Sequence, residues 1–308
     1  MQMPRLSVVT PCYNAARFIG RTLDSLQRQT CADWELVVVD DGSTDHSAEI
    51  VGRHAAGDER IRLIRQPNGH VCRARNTGVA ATDPGAEYLL FLDADDMLEP
   101  RAIETMLAYL DRHPDVGLAY CSLRLIGLND ESIDSPGFGR WWDARYVPTQ
   151  AGTRQLPRNQ AETPLAALVA GYRAIPSTTF IRRRVFATTS GWDESFRQGG
   201  EDMDLVVQIA LQAPVHFVPK RLVRYRRHDA NFSNQDFGPG IVQFRRKWWD
   251  NPRLSPAEQA TVREAIVFAQ RLPMLPDTVH ANRMAALGKG ILQLCGLPAV
   301  AGDYAAVA

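Results

Sequence analysis

The feature that most constrains the fold is an alternation of two hydrophobic periodicities over residues 1–125. Runs of consecutive apolar residues, typical of strands buried on both faces, alternate with segments whose apolar residues recur at helical spacing. The predicted strands are 6–9, 34–39, 61–64, 88–92 and 118–123, with helices near 18–26, 48–51, 72–81 and 103–110. This alternation predicts an α/β fold with a mostly parallel central sheet flanked by helices.

The regular alternation ends after residue 128. Residues 129–159 are rich in Gly, Pro, Asp and Arg and contain Trp141-Trp142, which indicates an irregular excursion or a long loop. Further helices are expected near 164–170 and 202–212, and further strands near 177–181, 216–218 and 222–225. The last 70 or so residues are expected to be helical and are interrupted by prolines, which is typical of a small appendage.

Composition excludes several classes of protein. The 35 Lys and Arg residues balance 35 Asp and Glu residues, which argues against a surface built for nucleic acid. The five cysteines are scattered without a Cys-x-x-Cys pair, which indicates reduced thiols. No apolar run approaches the roughly 18 residues of a membrane-spanning helix, and the amino terminus lacks a signal-peptide pattern. We therefore expect a cytoplasmic protein, soluble or peripheral to a membrane.

Polar clusters follow three of the predicted strands at their carboxyl ends. In open α/β sheets, ligands bind beyond these ends, so three clusters at equivalent places indicate a binding site. Each cluster alone is also compatible with an ordinary strand-to-helix turn. The clusters are Pro11-Cys12-Tyr13-Asn14 after the first strand, Asp40-Asp41 after the second and Asp93-Ala94-Asp95 after the fourth.

The spacing of Asp93 and Asp95 indicates a divalent cation. In extended backbone the side chains at i and i+2 lie on one side, so the two carboxylates converge while Ala94 points away. Oxygen ligands suit Mg²⁺ or Mn²⁺, which keep part of their coordination for substrate phosphates. No Gly-x-x-x-x-Gly-Lys or Gly-x-Gly-x-x-Gly is present, so kinase, GTPase and dehydrogenase interpretations lose their main support.

Five motifs, in this order, resemble the signatures of family 2 inverting glycosyltransferases, which have the GT-A fold. They are SVVTPCYN at 7–14, VVVDDGSTD at 37–45, NGHVCRARNTG at 68–78, FLDADD at 91–96, and GWDESF at 191–196 with GEDMDL at 200–205. The resemblance implies a GT-A catalytic domain over 1–235, with a nucleotide-binding half at 1–125 and an acceptor-binding half at 126–235. Residues 236–308 form a helical carboxyl-terminal extension that the resemblance does not explain.

The resemblance also implies a reaction and a nucleotide site. The reaction moves a sugar from a nucleoside-diphosphate sugar, expected to be UDP-linked, to a hydroxyl of a glycan or lipid-linked acceptor. The chemistry of the nucleotide site agrees, because a tyrosine ring stacks on a pyrimidine and a carboxylate accepts a hydrogen bond from a ring N–H. Ordinary packing at a strand end for Tyr13 and a helix-surface position for Arg75 are the alternatives. The implied nucleotide-binding residues are Pro11, Tyr13, Asn14, Asp40, Asp41, Arg75, Asp93 and Ala94.

The same resemblance implies the cation ligands and the base. Asp95 is the principal ligand of Mn²⁺ or Mg²⁺, Asp93 touches the metal, ribose or sugar, and His228 completes the metal shell. Asp202 is the general base that deprotonates the acceptor hydroxyl, with Trp192 and Glu201 beside the acceptor or donor sugar. The alternatives are a surface position for His228 and a helix-terminal charge for Asp202.

Residues 217–250 carry eight basic and three acidic side chains, and RRKWW at 245–249 combines charge with aromatic rings. Contact with anionic lipids would explain this pattern. We favour a solvated helix face whose tryptophans pack on the catalytic domain. Oligomerisation through 236–308 is left open. Two other functions also stay open: a sugar nucleotidyltransferase, and a non-catalytic carbohydrate-binding protein of the same fold.

Overall fold

The computed structural model describes residues 3–133, 143, 145–149, 152–170, 174–229, 231 and 238–269. Several features of the sequence, namely Trp141-Trp142, Cys295 and the end of the extension from residue 270, lie outside the described residues.

Eight of the described strands form one large sheet. The ten strands are β1 Leu6–Cys12, β2 Trp34–Asp40, β3 Ile61–Arg65, β4 Tyr88–Phe91, β5 Met97–Leu98, β6 Leu118–Ile126, β7 Tyr146–Thr149, β8 Gly152–Gln155, β9 Thr179–Arg182 and β10 Val215–Arg226. The order across the large sheet is β3-β2-β1-β4-β9-β6-β10-β5, and β7 pairs with β8 separately. Only β9 and β5 pair antiparallel with their neighbours in the described sheet, which confirms the prediction of a mostly parallel sheet.

The described helices flank this sheet. They are α1 Ile19–Gln27, α2 Ser47–Gly57, α3 His70–Ala81, α4 Ala102–Arg112, α5 Leu165–Ala170, α6 Arg183–Phe186, α7 Glu201–Ala210, α8 Gly238–Trp249 and α9 Pro256–Ala269. The helical spacing seen in the sequence becomes a buried face, as in α4, where Ile103, Met106 and Leu110 are fully buried.

Successive side chains along each strand point to opposite faces of the sheet, which divides most of the core into two large clusters. Val8 and Leu90 belong to one cluster with residues of α1 and α4, whereas their chain neighbours Val9 and Phe91 belong to the other. The second cluster contains residues of α7 and also of α8 and α9, including Phe244 and Trp248. The described helices of the extension therefore share a core with the sheet, and the boundary at residue 235 stays a prediction.

Three sequence expectations differ from the structure. The two strands expected at 216–218 and 222–225 are one strand, β10, whose register against β6 shifts on either side of Arg221. The two-residue strand β5 and the β7–β8 hairpin were not expected, because such short segments carry little periodicity. Among the described residues, no helix is long and apolar enough to cross a membrane.

Candidate active site

The loops after β1 and β2 are tied together at the edge of the sheet. The backbone of Asn14 is left-handed, with a φ of 50°, and its side-chain Oδ1 accepts a hydrogen bond of 2.8 Å from the Thr44 N–H. In return, the Asn14 N–H donates to Ser43 Oγ at 3.0 Å. Tyr13 directly follows β1 and is 54% exposed. This exposure rules out ordinary packing for Tyr13 and is compatible with stacking on a base.

Asp40 and Asp41 end β2 with different partners. Asp40 accepts from the Ser43 N–H and pairs with Arg65 at 3.0 Å, which fixes the turn to β3. Asp41 is 3% exposed, and its Oδ1 accepts hydrogen bonds from Gln66 Nε2 at 2.7 Å and from the Gly69 N–H at 2.9 Å. Sequence reasoning missed Gln66, because a glutamine after a strand carries no pattern of its own.

The Asp-x-Asp segment is a turn rather than extended backbone. β4 ends at Phe91, and the Asp96 N–H donates to the Asp93 carbonyl at 3.2 Å. The expectation that the two carboxylates converge from an extended segment is therefore wrong, and each carboxylate finds its own partner. The carbonyl of Ala94 accepts from Thr22 Oγ1 at 2.9 Å, which holds the turn against α1.

Arg75 joins the two halves of the site. Its guanidinium donates to Asp93 Oδ1 at 2.9 Å and to Glu201 Oε1 at 3.5 Å, and it lies 4.3 Å from the centre of the Trp192 ring. The side chain is 4% exposed, so the helix-surface alternative is wrong. Burial works against the charge, but Asp93 and Glu201 raise the pKa of Arg75. The buried Nε atom has no hydrogen-bond partner within the described chain.

His228 contacts the second carboxylate of the turn. Its Nε2 lies 2.9 Å from Asp95 Oδ2, and its ring stacks on Phe18 with 4.4 Å between centroids. Only 8% of the His228 side chain is exposed, so the surface alternative is wrong here as well. Asn231 Nδ2 reaches the same Asp95 oxygen at 3.3 Å and also donates to the Arg226 carbonyl at 3.0 Å.

Asp96 fixes the Asp93–Asp96 turn to the interior of the protein. It is fully buried and accepts hydrogen bonds from Ser177 Oγ at 2.6 Å and from the Arg226 N–H at 3.1 Å. Burial and the neighbouring Asp95 and Asp93 raise its pKa well above the usual range. Burial likewise raises the pKa of Asp93, against the opposing effect of Arg75. Asp96 thus supports the turn from the interior, whereas the side chains of Asp93 and Asp95 are partly exposed.

Asp202 lies in the first turn of α7. The turn before it contains Gly199 and Gly200 with φ values of 87° and 89°, a conformation that strongly favours glycine. Asp202 Oδ1 accepts from the Met203 N–H at 2.8 Å, and Asp202 lines a small cavity together with Trp192. Since Glu201 contacts Arg75, the structure brings the acidic turn of α7 and the Asp93–Asp96 turn to one cleft.

The fold and this arrangement define a class: α/β proteins that present acidic turns at the carboxyl edge of a mostly parallel sheet, the edge at which ligands bind in such folds. Residues 7–186 match the model for Glycosyl transferase family 2. The match covers more than half of the chain, so the chain belongs to this family, as the motifs predicted.

Similar proteins agree with this assignment. The chain is 45% identical over 94 residues to the "uncharacterized glycosyltransferase EpsJ" of Bacillus subtilis (strain 168), covering 30% of this chain and 27% of EpsJ. It therefore spans less than a third of that relative's length.

Two solved structures share the fold at low identity. S. aureus TarS 1–349, solved with UDP-GlcNAc, superposes with a TM-score of 0.62 at 18% identity, covering 94% of this chain and 81% of TarS 1–349. The mannosyltransferase PcManGT from Pyrobaculum calidifontis, solved with GDP-Man and Mn²⁺, gives a TM-score of 0.62 at 17% identity, covering 95% and 81%. These similarities confirm the predicted GT-A-type fold.

Proposed function

We propose that this chain is an inverting, metal-dependent glycosyltransferase that moves a sugar from a UDP-sugar to a hydroxyl of a glycan or lipid-linked acceptor. The observation that carries the proposal is the contact of Arg75 with both Asp93 and Glu201. It brings the acidic turn expected to face the diphosphate next to the turn that carries a candidate base.

The donor groups at the Asp93–Asp96 turn fit a divalent cation of the Mn²⁺ or Mg²⁺ type. Asp95 Oδ2 and His228 Nε2 lie 2.9 Å apart, and the Asp95 carboxylate is the kind of oxygen ligand that Mg²⁺ and Mn²⁺ prefer. No group of three or more His, Cys, Asp or Glu ligands exists in the described part of the chain. Such cations are commonly held by one or two protein groups plus substrate phosphates and water, so two ligands suffice. A bound cation supplies positive charge to the departing diphosphate.

The geometry around Asp41 favours uridine as the base. Both lone pairs of Asp41 Oδ1 are used by Gln66 and the Gly69 N–H, and no described residue hydrogen-bonds to Oδ2. One free acceptor matches uracil, whose single ring N–H lies between two carbonyls. Guanine presents a ring N–H beside an amino group and would use both carboxylate oxygens. TarS 1–349 was solved with UDP-GlcNAc and PcManGT with GDP-Man, so the choice of uridine rests on the contacts of Asp41.

Asp202 is assigned the role of general base. Asp202 lines the same small cavity as Trp192. In the proposed reaction its carboxylate takes the proton from the acceptor hydroxyl as that oxygen attacks the anomeric carbon. Attack from the face opposite the diphosphate inverts the anomeric configuration. Arg75 holds Glu201, the neighbour of Asp202, and thereby keeps the first turn of α7 close to the donor side.

A donor screen tests this function. The full chain is heated with Mn²⁺ and, in turn, UDP-Glc, UDP-Gal, UDP-GlcNAc, UDP-GlcA or GDP-Man. We expect at least one UDP-sugar to raise the melting temperature only when Mn²⁺ is present, and the same compound to release UDP slowly with water as acceptor. Stabilisation by none of these compounds would contradict the proposal.

The two other functions predict different products. A sugar nucleotidyltransferase releases pyrophosphate from a nucleoside triphosphate and a sugar phosphate. A non-catalytic carbohydrate-binding protein binds sugars and releases no UDP.

Three expectations stay predictions: the cytoplasmic location, contact with the inner face of a membrane, and oligomerisation through residues 236–308. In the basic segment 245–249, Trp248 is 3% exposed and packs in the core of the protein, as expected for a tryptophan that packs on the catalytic domain.

A further inference from the structure

Helix α8 of the extension docks on the first turns of α7 through a buried carboxylate. Asp204 is fully buried and accepts three side-chain hydrogen bonds: from Trp248 Nε1 at 2.8 Å, from Lys247 Nζ at 2.9 Å and from Gln208 Nε2 at 2.8 Å. Two of these donors belong to α8. Asp204 follows Asp202 by two residues, so α8 binds the same turn that carries the candidate base.

The same lysine also contacts the preceding motif. Lys247 Nζ lies 2.7 Å from Asp193 Oδ2, and one helical turn earlier Gln243 Nε2 donates to Ser195 Oγ at 2.8 Å. Asp193 follows Trp192 directly in the chain. Helix α8 therefore links the segment around Trp192 with the segment around Asp202.

The backbone of α8 is in direct contact with the backbone of the Gly199-Gly200 turn. A Cβ on Gly240 of α8 would overlap the carbonyl oxygen of Gly199, and a Cβ on Gly200 would lie 2.7 Å from the Gly240 carbonyl oxygen. Because only glycine fits at this crossing, a shift of α8 moves the Gly199-Gly200 turn with it.

The charges at the contact depend on one another. Burial raises the pKa of Asp204, and the hydrogen bond from Lys247 opposes that rise. Burial lowers the pKa of Lys247, but Asp193 and Asp204 together raise it above its ordinary value. A buried carboxylate is tolerated when its hydrogen-bond capacity is filled, and two of the three donors to Asp204 come from α8.

We propose that Lys247 and Trp248 are positioning residues that fix the turn carrying Asp202, which makes α8 part of the acceptor side of the site. The proposal rests on the proposed function for its catalytic consequence, whereas the structural consequence stands by itself. A displaced turn moves the base away from the acceptor hydroxyl and leaves in place the proposed UDP contacts of the loops after β1, β2 and β4.

The kinetic test uses matched variants of the full chain. Trp248→Phe keeps an aromatic ring and removes the Nε1 donor, and Trp249→Phe is its control. Lys247→Met removes the ammonium, Lys220→Met on the exposed part of β10 is its control, and Lys247→Arg restores the charge. We expect Trp248→Phe and Lys247→Met to lower kcat for UDP release at least about tenfold. The Kd for UDP with Mn²⁺ should change less than about twofold in both variants. The controls and Lys247→Arg should stay near wild type.

A second measurement needs no activity. Hydrogen exchange followed by mass spectrometry reports the backbone amides of 199–204 in each folded variant. We expect Trp248→Phe and Lys247→Met to speed exchange there at least about tenfold. Wild-type exchange at 199–204 in both variants would overturn the proposal, as would equal losses of kcat and UDP affinity. A wild-type chain that releases no UDP refutes the proposed function, and the exchange comparison still decides the role of α8.

Discussion

His228 Nε2 lies 2.9 Å from Asp95 Oδ2, although 133 positions separate the two residues in the chain. The imidazole is held on one side by the ring of Phe18, and Asn231 reaches the same carboxylate oxygen. The segment after β10 therefore packs on the Asp93–Asp96 turn and places the two proposed cation ligands, Asp95 and His228, side by side. An arrangement fixed in this way needs little rearrangement to accept a cation.

The first prediction concerns that cation. Asp95→Ala removes the principal proposed ligand, so UDP should bind equally with Mn²⁺ and with EDTA. In the wild-type chain, EDTA should weaken UDP binding about 10–100-fold, since a bound cation would supply positive charge between the Asp95 carboxylate and the diphosphate. Titration calorimetry measures both, with Asp115→Ala as an exposed control. UDP binding that responds to EDTA equally in wild type and Asp95→Ala would refute the ligand assignment.

The second prediction concerns Arg75. Arg75→Met removes the guanidinium that pairs with both Asp93 and Glu201 in a largely buried site. Removing one partner of a buried ion pair leaves an uncompensated charge, so the free energy of unfolding should fall by about 3 kcal/mol. Urea unfolding measures the loss, and Arg73→Met, exposed on the same helix, should change stability little. Equal stabilities of the two variants would show that the Arg75 contacts are weak.

The sequence predicted those parts of the fold that rest on hydrophobic periodicity. Strands β1–β4 and helices α1, α3 and α4 lie within a few residues of the expected positions, because long apolar runs and stripes are buried as the pattern requires. The sequence could not show that β9 runs antiparallel between β4 and β6, since strand direction depends on how the chain returns to the sheet.

The site was predicted by residue identity better than by contact. The family resemblance named Asp95 and His228 as cation ligands, and the structure places the two side chains in contact. The resemblance also named Arg75, but its position between Asp93 and Glu201 depends on the packing of α3 against α7. The contacts of Gln66, Asn231 and Lys247 were missed, because side-chain hydrogen bonds and ion pairs to motif residues leave no periodic or compositional signal.

The third prediction concerns base selection. Gln66→Met keeps the length of the side chain and removes a donor to Asp41 Oδ1, so that oxygen regains an acceptor site for the guanine amino group. The preference of the protein for UDP over GDP should fall about tenfold, the worth of one hydrogen bond to a charged group. Competition binding with Mn²⁺ measures the preference, with Gln259→Met as control. An unchanged ratio in Gln66→Met would remove Gln66 from base selection.

The fourth prediction concerns pH. Burial tends to raise the pKa of Asp193, but the hydrogen bonds from Lys247 and Ser195 lower it to about 2, against an ordinary value of 3.8. A carboxyl group with a lowered folded pKa stabilises the protein above pH 3.8, and the stabilisation is lost as the pH falls from there toward 2. Asp193→Asn should therefore cost about 2 kcal/mol at pH 7 and progressively less below pH 4. Urea unfolding at several pH values checks this, and a difference independent of pH would contradict it.

The fifth prediction separates the base from the nucleotide site. Asp202→Asn keeps the size of the side chain and its acceptor oxygen for the Met203 N–H, so α7 should begin as before. The amide cannot take a proton, so sugar transfer should fall at least about 100-fold, the usual contribution of a general base. Binding of UDP with Mn²⁺, measured by calorimetry, should stay within about twofold of wild type, because the proposed nucleotide contacts lie in the loops after β1, β2 and β4 and at Arg75 of α3, and the substitution changes none of these side chains. Asp115→Asn serves as the control for both measurements. Near-normal turnover in Asp202→Asn would show that another group takes the proton.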